Sequence, residues 1–332
     1  MSKVIGINLG SHIITVYAEG KGVILREPNA VAVEAYTRET VATGQDAINL
    51  VNKTPGAYEL ISHIYQGNVS DYERMAMVLA KVFEKINIRR PEVIFTVHGG
   101  HSSADIGAIC NMMFDAGARR LCVVDSPTVA VMGSDQPLND ERAILICDIG
   151  AATSEIGIVR GCATKLSRTA QYGCNKLDEA LKNYIKKEYN AIIDGRTARK
   201  IREAVGTVHP SYLLGSYDFV GRDAVTGLPC ELTIDSSQTL EVMRKYADYL
   251  IANIDGILKK LREDVLAEVK ERGILLTGGG ALDGGIKTLV EERLGIVTRI
   301  SENPVESSVK GLGMIIENRE VFGPLLRDLS LG

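Results

Sequence analysis

The alternation of apolar and polar positions along the chain predicts the same β-hairpin twice. One copy covers residues 4–17 and the other covers residues 144–159. In each copy a short β-branched run reaches Asn8 or Asp148, then an apolar residue and a glycine, and a second apolar strand follows. Two hairpins with a polar side chain at the bend, one near the start of each half, predict duplicated domains that face each other across a cleft.

The bends of the two hairpins carry groups suited to binding phosphate. Backbone N–H groups at glycine-containing bends can donate to phosphate oxygens, and glycine lets the backbone approach closely. An acidic side chain at a bend can also hold a hydrated Mg²⁺ beside those phosphates. The candidate bend residues are Asn8, Gly10, Ser11, His12, Ile13, Asp148, Gly150, Ala151 and Ala152. For His12, the other interpretation is an ordinary exposed turn histidine.

A third motif places three glycines after a buried strand. It covers residues 273–282, and the apolar residues Ile286, Leu289 and Val290 then recur at helical spacing. A glycine run lets a flat ligand or a phosphate lie against the backbone, near the positive end of the next helix. The candidate ligand-binding residues are Gly278, Gly279, Gly280 and Ala281. Neither G-x-x-x-x-G-K-[ST] nor G-x-G-x-x-G occurs, which argues against P-loop and Rossmann sites.

Helical and strand patterns alternate between these motifs. The predicted helices are residues 71–86, 103–116, 177–189 and 237–262, with a short one after Ser126-Pro127. The predicted strands are residues 93–97 and 121–124. Strands followed by helices in this order predict an α/β fold with mixed sheets.

Composition narrows the possible function classes. The chain has 332 residues, 45% of them apolar and 24% charged, as in soluble proteins with large cores. A net charge of −4 argues against nucleic acid as a partner, because phosphate backbones bind basic surfaces. No apolar run approaches the ~18 residues of a spanning helix, and no signal peptide is expected. The six cysteines form no CxxC pair, so we expect buried thiols and a cytoplasmic location.

The order of these motifs resembles a known superfamily. Two phosphate hairpins, the strand–Pro–helix connection at Ser126-Pro127 and the late TGGGAL segment resemble the ATPases of the actin, sugar-kinase and heat-shock-chaperone superfamily. Nearly the whole chain resembles one branch, the bacterial MreB rod-shape proteins, through residues 20–28, 52–56, 221–229 and 302–304. The chain is too short for the inserted domains of chaperones and most sugar kinases.

The resemblance implies an α/β, actin-like (ribonuclease H-like) fold of duplicated domains around a nucleotide cleft. The first domain would cover residues 1–141 and about 305–332, with a small subdomain at about 26–60. The second would cover residues 142–304, with a small subdomain at about 180–238. The implied ligands are ATP or ADP with Mg²⁺, and the implied assembly is a filament of double protofilaments beneath the membrane.

Several positions match residues that have a role in the family. Asp148 matches the metal-side aspartate, and Thr153 matches a hydroxyl at the phosphates. Residues 278–281 match the adenosine and phosphate contacts. Asp178 ends a helix-start signature in which Cys174 stands where the family prefers glycine.

Two departures from the family remove carboxylates at the phosphates. Asn8 replaces the aspartate of the first hairpin, so the candidate metal ligands are Asp148 and a neutral amide. Ser126 replaces a glutamate thought to position the attacking water, and Asp125 precedes it. Because a general base contributes about 10²–10⁴-fold, we expect weak or lost hydrolysis. The alternative is an active ATPase filament in which Asp125 substitutes for the glutamate.

Other departures concern the nucleotide and the membrane. Ala151 and Ala152 replace glycines and narrow the space for phosphate. Arg199 reverses the charge of a glutamate at the ribose and base, whereas Arg202 keeps the basic character of a lysine there. The short loop at residues 86–90 replaces a longer, more apolar loop that inserts into membrane in some members.

The sequence is therefore interpreted as an actin-like bacterial cytoskeletal protein that binds ATP or ADP and polymerises into filaments involved in cell shape. Its expected partners are copies of itself, paralogous filament proteins and, weakly, the inner face of the cell membrane. The expected location is cytoplasmic and peripheral at the inner membrane. A less favoured alternative is a small-molecule kinase on the same fold, for which the sequence offers no convincing catalytic aspartate in an acceptor pocket.

Overall fold

The computed structural model describes residues 3–54, 56–65, 68–137 and 139–329, with Tyr65 described by its backbone alone. The strands are β1 (Val4–Leu9), β2 (Ile13–Ala18), β3 (Gly22–Pro28), β4 (Val31–Glu34), β5 (Thr40–Thr43), β6 (Tyr58–Ile61), β7 (Ile64–Tyr65), β8 (Asn68–Val69), β9 (Glu92–Val97), β10 (Arg120–Asp125), β11 (Ile144–Ile149), β12 (Ser154–Arg160), β13 (Ala163–Ala170), β14 (Ala191–Ile192), β15 (Ser216–Asp223), β16 (Pro229–Asp235), β17 (Ile274–Thr277), β18 (Thr298–Ile300) and β19 (Arg327–Asp328). Pro55, in the 52–56 segment of the resemblance, lies outside the described residues.

The helices follow the strands in the order expected of an α/β fold. They are α1 (Gly44–Lys53), α2 (Tyr72–Ile86), α3 (Ser103–Asp115), α4 (Ser126–Met132), α5 (Cys174–Tyr189), α6 (Gly195–Val205), α7 (Ser236–Leu258), α8 (Glu263–Arg272), α9 (Ile286–Leu294), α10 (Ser307–Glu317) and α11 (Arg319–Phe322). A single turn of 3₁₀ helix, Gly279–Leu282, follows β17. Both predicted hairpins, the two predicted strands and the helices predicted before residue 190 are confirmed.

Helix α2 shows how local sequence sets an element. The Asp71 side chain accepts from the Arg74 backbone N–H at its start, and Asn87 ends it in the left-handed conformation. The apolar stripe that predicted this helix is buried on one face: Met75, Val78, Leu79, Val82 and Phe83. The buried stripe packs into the core of the surrounding sheet and helices.

The helix predicted at residues 237–262 is wrong in its length. Helix α7 ends at Leu258, a tight turn follows, and α8 begins at Glu263 after an extended Arg262. The turn sequence Lys-Lys-Leu-Arg consists of good helix formers, so propensity does not mark the break. The acidic residues Glu263 and Asp264 favour a new helix start, because the N-terminal end of a helix is positive.

The chain divides into two compact units. The first contains residues 1–141, 157–169 and 306–332, and the second contains residues 142–156 and 170–305. This division differs from the one implied by the resemblance, since residues 157–169 group with the first unit. Over the described ranges, no helix is both long and apolar enough to cross a membrane.

The main sheet of the first unit has the strand order β19-β10-β9-β1-β2-β3. Strands β1, β9 and β10 are parallel neighbours, so their carboxyl ends lie at one edge of the sheet. Alternate side chains of these strands enter two cores. One core includes Ile5 and Phe95 with α2 and α3, and the other includes Ile94 and Val124 with Leu312 of α10.

The second unit is built around parallel β11, β17 and β18. A separate antiparallel sheet has the order β14-β15-β16. Helices α5, α6 and α7 enclose an apolar core against that sheet, with Leu181, Ile201, Phe219 and Val242 among its buried residues. The ends of β11 and β17 and the start of α5 carry part of the residues that sequence analysis assigned to the nucleotide.

Candidate functional site

The bend of the first hairpin follows directly after β1. Asn8 lies near the end of this strand, and its Oδ1 accepts a hydrogen bond from Thr96 Oγ1 at 3.1 Å. Because β1 and β9 are parallel neighbours, both residues lie at the carboxyl edge of the sheet. A Cβ on Gly10 would overlap the Ile13 carbonyl oxygen, so only glycine fits there. The His12 side chain is exposed.

The carbonyl groups of this bend are held by Asn29, which follows β3. Asn29 Nδ2 donates to the Gly10 carbonyl oxygen at 3.0 Å, and the Asn29 backbone N–H donates to the His12 carbonyl oxygen at 2.9 Å. In a trans peptide the C=O and the following N–H point in opposite directions. The N–H groups of Ser11 and Ile13 are therefore directed away from Asn29. Sequence analysis missed Asn29, since no local pattern links it to a bend 19 residues earlier.

Strand β10 ends at the two candidate hydrolytic residues. Asp125 is ion-paired with Arg327 of β19, with Oδ1 2.8 Å from the guanidinium, and its side chain is 43% exposed. Ser126 begins α4, and Pro127 follows it in the first turn, where a missing N–H costs nothing. The carboxylate of Asp125 thus has a structural partner at the outer edge of the sheet.

The bend of the second hairpin follows Asp148 at the end of β11. A hydrogen bond of 2.9 Å from the Gly150 N–H to the Thr153 carbonyl oxygen closes it. Asp148 pairs in register with Thr277 of the parallel strand β17. Its carboxylate lies directly over the Cα of Gly278, where a Cβ would overlap Asp148 Oδ1. The second hairpin and the glycine motif therefore form one surface within the second unit.

The carbonyl groups of this second bend are held by the start of α5. The Cys174 N–H donates to the Gly150 carbonyl oxygen at 3.1 Å, and the Asn175 N–H donates to the Ala151 carbonyl oxygen at 2.8 Å. By the same peptide geometry, the N–H groups of Ala151 and Ala152 are directed away from α5. In the second unit, backbone N–H groups at the start of α5 thus hold the carbonyl groups of the bend, and in the first unit Asn29 holds them.

The three glycines have different environments. Gly278 has φ +80° and ψ 170°, a conformation restricted to glycine, and its N–H donates to the Pro304 carbonyl oxygen at 2.8 Å. A Cβ on Gly280 would overlap Ile149 Cγ2, so close packing requires glycine there. A Cβ on Gly279 would meet nothing within 4 Å. Gly279 therefore exposes its backbone one residue after the contact between Gly278 and Asp148, and leaves space for a ligand there.

A buried ionic cluster joins α5 and α6 to the glycine motif. Arg202 Nε donates to Asp178 Oδ1 at 2.7 Å, and Arg202 Nη1 donates to Asp283 Oδ1 at 2.6 Å. The Arg202 side chain is only 6% exposed, whereas Arg199 is more open and lies 3.7 Å from Asp178. Arg202 therefore braces the site through its two carboxylate partners. Sequence analysis missed Asp283, although an acid directly after the apolar end of a glycine motif is a usable signal.

The predicted residues thus fall into three groups. One bend of the first unit contains Asn8, Gly10, Ser11, His12 and Ile13, and the end of β10 in that unit contains Asp125 and Ser126. The second unit brings together Asp148, Gly150, Ala151, Ala152, Thr153, Asp178, Arg199, Arg202, Gly278, Gly279, Gly280 and Ala281. Ala281 is fully buried, so its side chain packs within the unit.

The charge of Asp283 is expected to make the stability of the second unit depend on pH. Burial raises the pKa of Asp283 to about 6, although Arg202 opposes this shift and Asp178 adds to it. Between about pH 4 and 6 the folded chain binds a proton that the unfolded chain releases, so this stabilisation is lost as the pH rises. Relative to Asp283→Asn, the wild type should lose about 1 kcal/mol of unfolding free energy between pH 5 and pH 7.

Urea unfolding of both proteins at the two pH values measures this difference. Asp235→Asn is the control, because hydrogen bonds from Ser237 and Gln238 lower the pKa of Asp235, so its carboxylate is ionised in the folded and unfolded chain at both pH values and no pH-dependent difference is expected. A difference between wild type and Asp283→Asn that stays constant from pH 5 to pH 7 contradicts the prediction.

The side chains available as metal ligands indicate which kind of metal site the second unit could form. Within the described part of the chain, no three His, Cys, Asp or Glu side chains cluster as a protein metal cage requires. Mg²⁺ at nucleotide sites is usually held by one or two carboxylates, waters and phosphate oxygens. Asp148, which lies against Gly278 at the start of the glycine turn, suits this mode, in which a nucleotide brings most of the ligands.

Comparisons with known proteins agree on one family. The model of the MreB/Mbl protein family matches residues 2–323. The cell shape-determining protein Mbl of Bacillus cereus is 30% identical over 318 residues, covering 95% of this chain and 96% of that protein. The cell shape-determining protein MreB of Escherichia coli K12 is 27% identical over 328 residues, covering 96% and 94%.

Solved structures share the same fold. The crystal structure of MreB5 of Spiroplasma citri bound to ADP superposes with a TM-score of 0.89 at 23% identity, covering 98% of each chain. The MamK double helical filament superposes with a TM-score of 0.79 at 19% identity, covering 96% of this chain and 99% of that one. These likenesses confirm the predicted actin-like α/β fold.

Proposed function

This chain belongs to the MreB/Mbl family, and we propose that it binds ATP or ADP with Mg²⁺ and polymerises into filaments that act in cell shape. The observation that carries nucleotide binding is the surface of the second unit where Asp148 lies against Gly278 and the next residue, Gly279, has open space over its backbone. Two solved relatives support the proposal. One is MreB5 of Spiroplasma citri, bound to ADP or to AMPPNP, and the other is the MamK double helical filament.

Within the second unit each group has a proposed task. The N–H groups of Ala151 and Ala152, directed away from α5, donate to phosphate oxygens. The Asp148 carboxylate holds Mg²⁺ through its water shell, and the metal would neutralise phosphate charge. The glycine backbone at Gly279 receives the adenosine, and Arg199 lies at the rim of the ionic cluster that braces this surface.

Weak hydrolysis is part of the proposal. Ser126 carries no carboxylate, and the amide of Asn8 is neutral and hydrogen-bonded to Thr96. The ion pair between Asp125 and Arg327 supports the view that Asp125 does not take the place of a catalytic glutamate. The bound nucleotide then acts mainly as a structural ligand.

Weak membrane attachment is also proposed, at the inner face of the cell membrane. In the loop at residues 86–90, the one large apolar side chain after the helix, Ile88, is partly buried and packs against the core of the first unit. Arg89 and Arg90 are exposed and would each add about 1 kcal/mol near an anionic surface. Attachment would therefore depend on salt and on anionic lipid.

Nucleotide is expected to stabilise the fold and to promote filaments. A ligand at 100 times its Kd adds about 2.7 kcal/mol to the unfolding free energy when it binds only the native state. Thermal melts with and without millimolar ATP or ADP, each with and without Mg²⁺, measure this effect. Melting temperatures that do not move under any of these conditions contradict nucleotide binding.

Electron microscopy of the same samples tests assembly. Paired protofilaments that appear in samples of the protein with ATP, and that are absent from samples of the protein without nucleotide, support polymerisation. Nucleotide-dependent stabilisation without any polymer at micromolar protein contradicts the filament proposal and favours a soluble nucleotide-binding protein of the same fold, such as a kinase.

A further inference from the structure

We infer that Asn29 and His63 form a relay that orients the first bend for phosphate, which makes them positioning residues for the phosphates of the nucleotide. The inference rests on the proposed nucleotide binding and concerns the first unit alone. It assigns a role to two side chains that lie outside the sequence motifs. The relay runs from His63 through Asn29 to the backbone of residues 10–12.

The hydrogen bonds of Asn29 determine the direction of each donor. Its Nδ2 donates to the Gly10 carbonyl oxygen, so its Oδ1 is an acceptor. His63 Nε2 lies 2.6 Å from that Oδ1 and must therefore carry the proton. The Asn29 backbone N–H adds the bond to the His12 carbonyl oxygen. These three hydrogen bonds thus fix the orientation of the Asn29 side-chain amide, and they also hold two peptide planes of the bend.

The surroundings of His63 keep it neutral. Its side chain is 2% exposed, and Nδ1 is buried without a hydrogen-bond partner. Burial lowers the pKa of His63, Arg74 lowers it further, and Asp71 opposes the shift. A second proton on Nδ1 would have no acceptor, so the tautomer with the proton on Nε2 persists at neutral pH.

The backbone of His63 is held by the residues that lead into α2. The N–H groups of Ser70 and Asp71 both donate to the His63 carbonyl oxygen, at 2.9 and 3.3 Å. Asp71 is the cap of α2, so His63 is anchored to the start of a 15-residue helix whose apolar face is buried. The relay therefore transmits a rigid position from α2 to the phosphate bend.

The consequence concerns phosphate and not adenosine. The two peptide planes held by Asn29 direct the N–H groups of Ser11 and Ile13 away from it, where phosphate oxygens can accept them. When the relay is cut, these planes can rotate and the donors are no longer preorganised. The glycine surface at Gly279, in the second unit, is not part of the relay.

The test compares ATP with adenosine as ligands of the purified full chain. The variants Asn29→Ala and His63→Leu cut the relay, while His63→Gln keeps an amide donor for Asn29 Oδ1. Asn49→Ala removes an exposed asparagine of α1 in the same unit and serves as the control. Equilibrium titration gives the Kd of each ligand, and circular dichroism shows that each variant is folded.

The relay variants are expected to raise the Kd for ATP about tenfold, because this change corresponds to the loss of one orienting hydrogen bond. Their affinity for adenosine should be unchanged. His63→Gln and Asn49→Ala should bind both ligands like the wild type. If the relay variants weaken ATP and adenosine equally, or weaken neither, the inference is wrong while nucleotide binding stands. If the wild type binds neither ligand, the proposed function fails, and the inference fails with it.

Discussion

Restoring two carboxylates is expected to accelerate phosphate release by about 10²-fold or more. The variant combines Asn8→Asp with Ser126→Glu. In the wild type, the Ser126 hydroxyl can hydrogen-bond a water but does not accept its proton near neutral pH. The amide of Asn8 brings no charge to a hydrated Mg²⁺, so a carboxylate there should also tighten the metal. Steady-state phosphate release at saturating ATP and Mg²⁺ measures the effect.

Asp125→Asn is the control for this prediction. Because the Asp125 carboxylate is paired with Arg327 at the sheet edge, its loss should leave the wild-type rate nearly unchanged. The opposite result has a definite meaning. If the wild type is already as fast as the double variant, and Asp125→Asn abolishes that rate, Asp125 is the catalytic base and the protein is an active ATPase.

Gly278→Ala is expected to destabilise the second unit by about 3 kcal/mol or more and to abolish nucleotide binding. The backbone conformation at Gly278 is restricted to glycine, and a Cβ would overlap both Asp148 Oδ1 and the Ile149 carbonyl oxygen. The carboxylate of Asp148 would have to leave the position proposed for the metal. Urea unfolding and ATP titration of the purified variant measure the two effects.

Gly279→Ala is the matched control, one residue further along the same turn. Its Cβ would meet nothing within 4 Å, so the unfolding free energy should change by less than about 1 kcal/mol. If adenosine lies against this backbone, ATP affinity should nevertheless fall. Equal stability losses in the two variants would show that the glycine turn has no special geometry, and an unchanged ATP affinity in Gly279→Ala would place the ligand elsewhere.

Periodicity was sufficient for both hairpins, for several strands and for the start and face of most of the predicted helices. The hairpins at residues 4–17 and 144–159 and the stripe of α2 were predicted because each repeats over several turns or strand positions. The break between α7 and α8 was not predicted, since good helix formers occupy the turn and only the following acids mark it. The repeated hairpin predicted duplicated domains, and the family resemblance supplied the bounds expected for them.

The sequence by itself determined the bends, the glycine motif and their neighbouring polar residues, because strand periodicity and glycine-containing turns are local patterns. Tertiary structure alone decided the partners: Arg202 between Asp178 and Asp283, Asp125 with Arg327, and Asn29 between His63 and the first bend. These pairs join residues far apart in the chain, and no period or spacing encodes them. Whether a buried polar group binds a ligand or supports a neighbour depends on which donor the fold brings within about 3 Å.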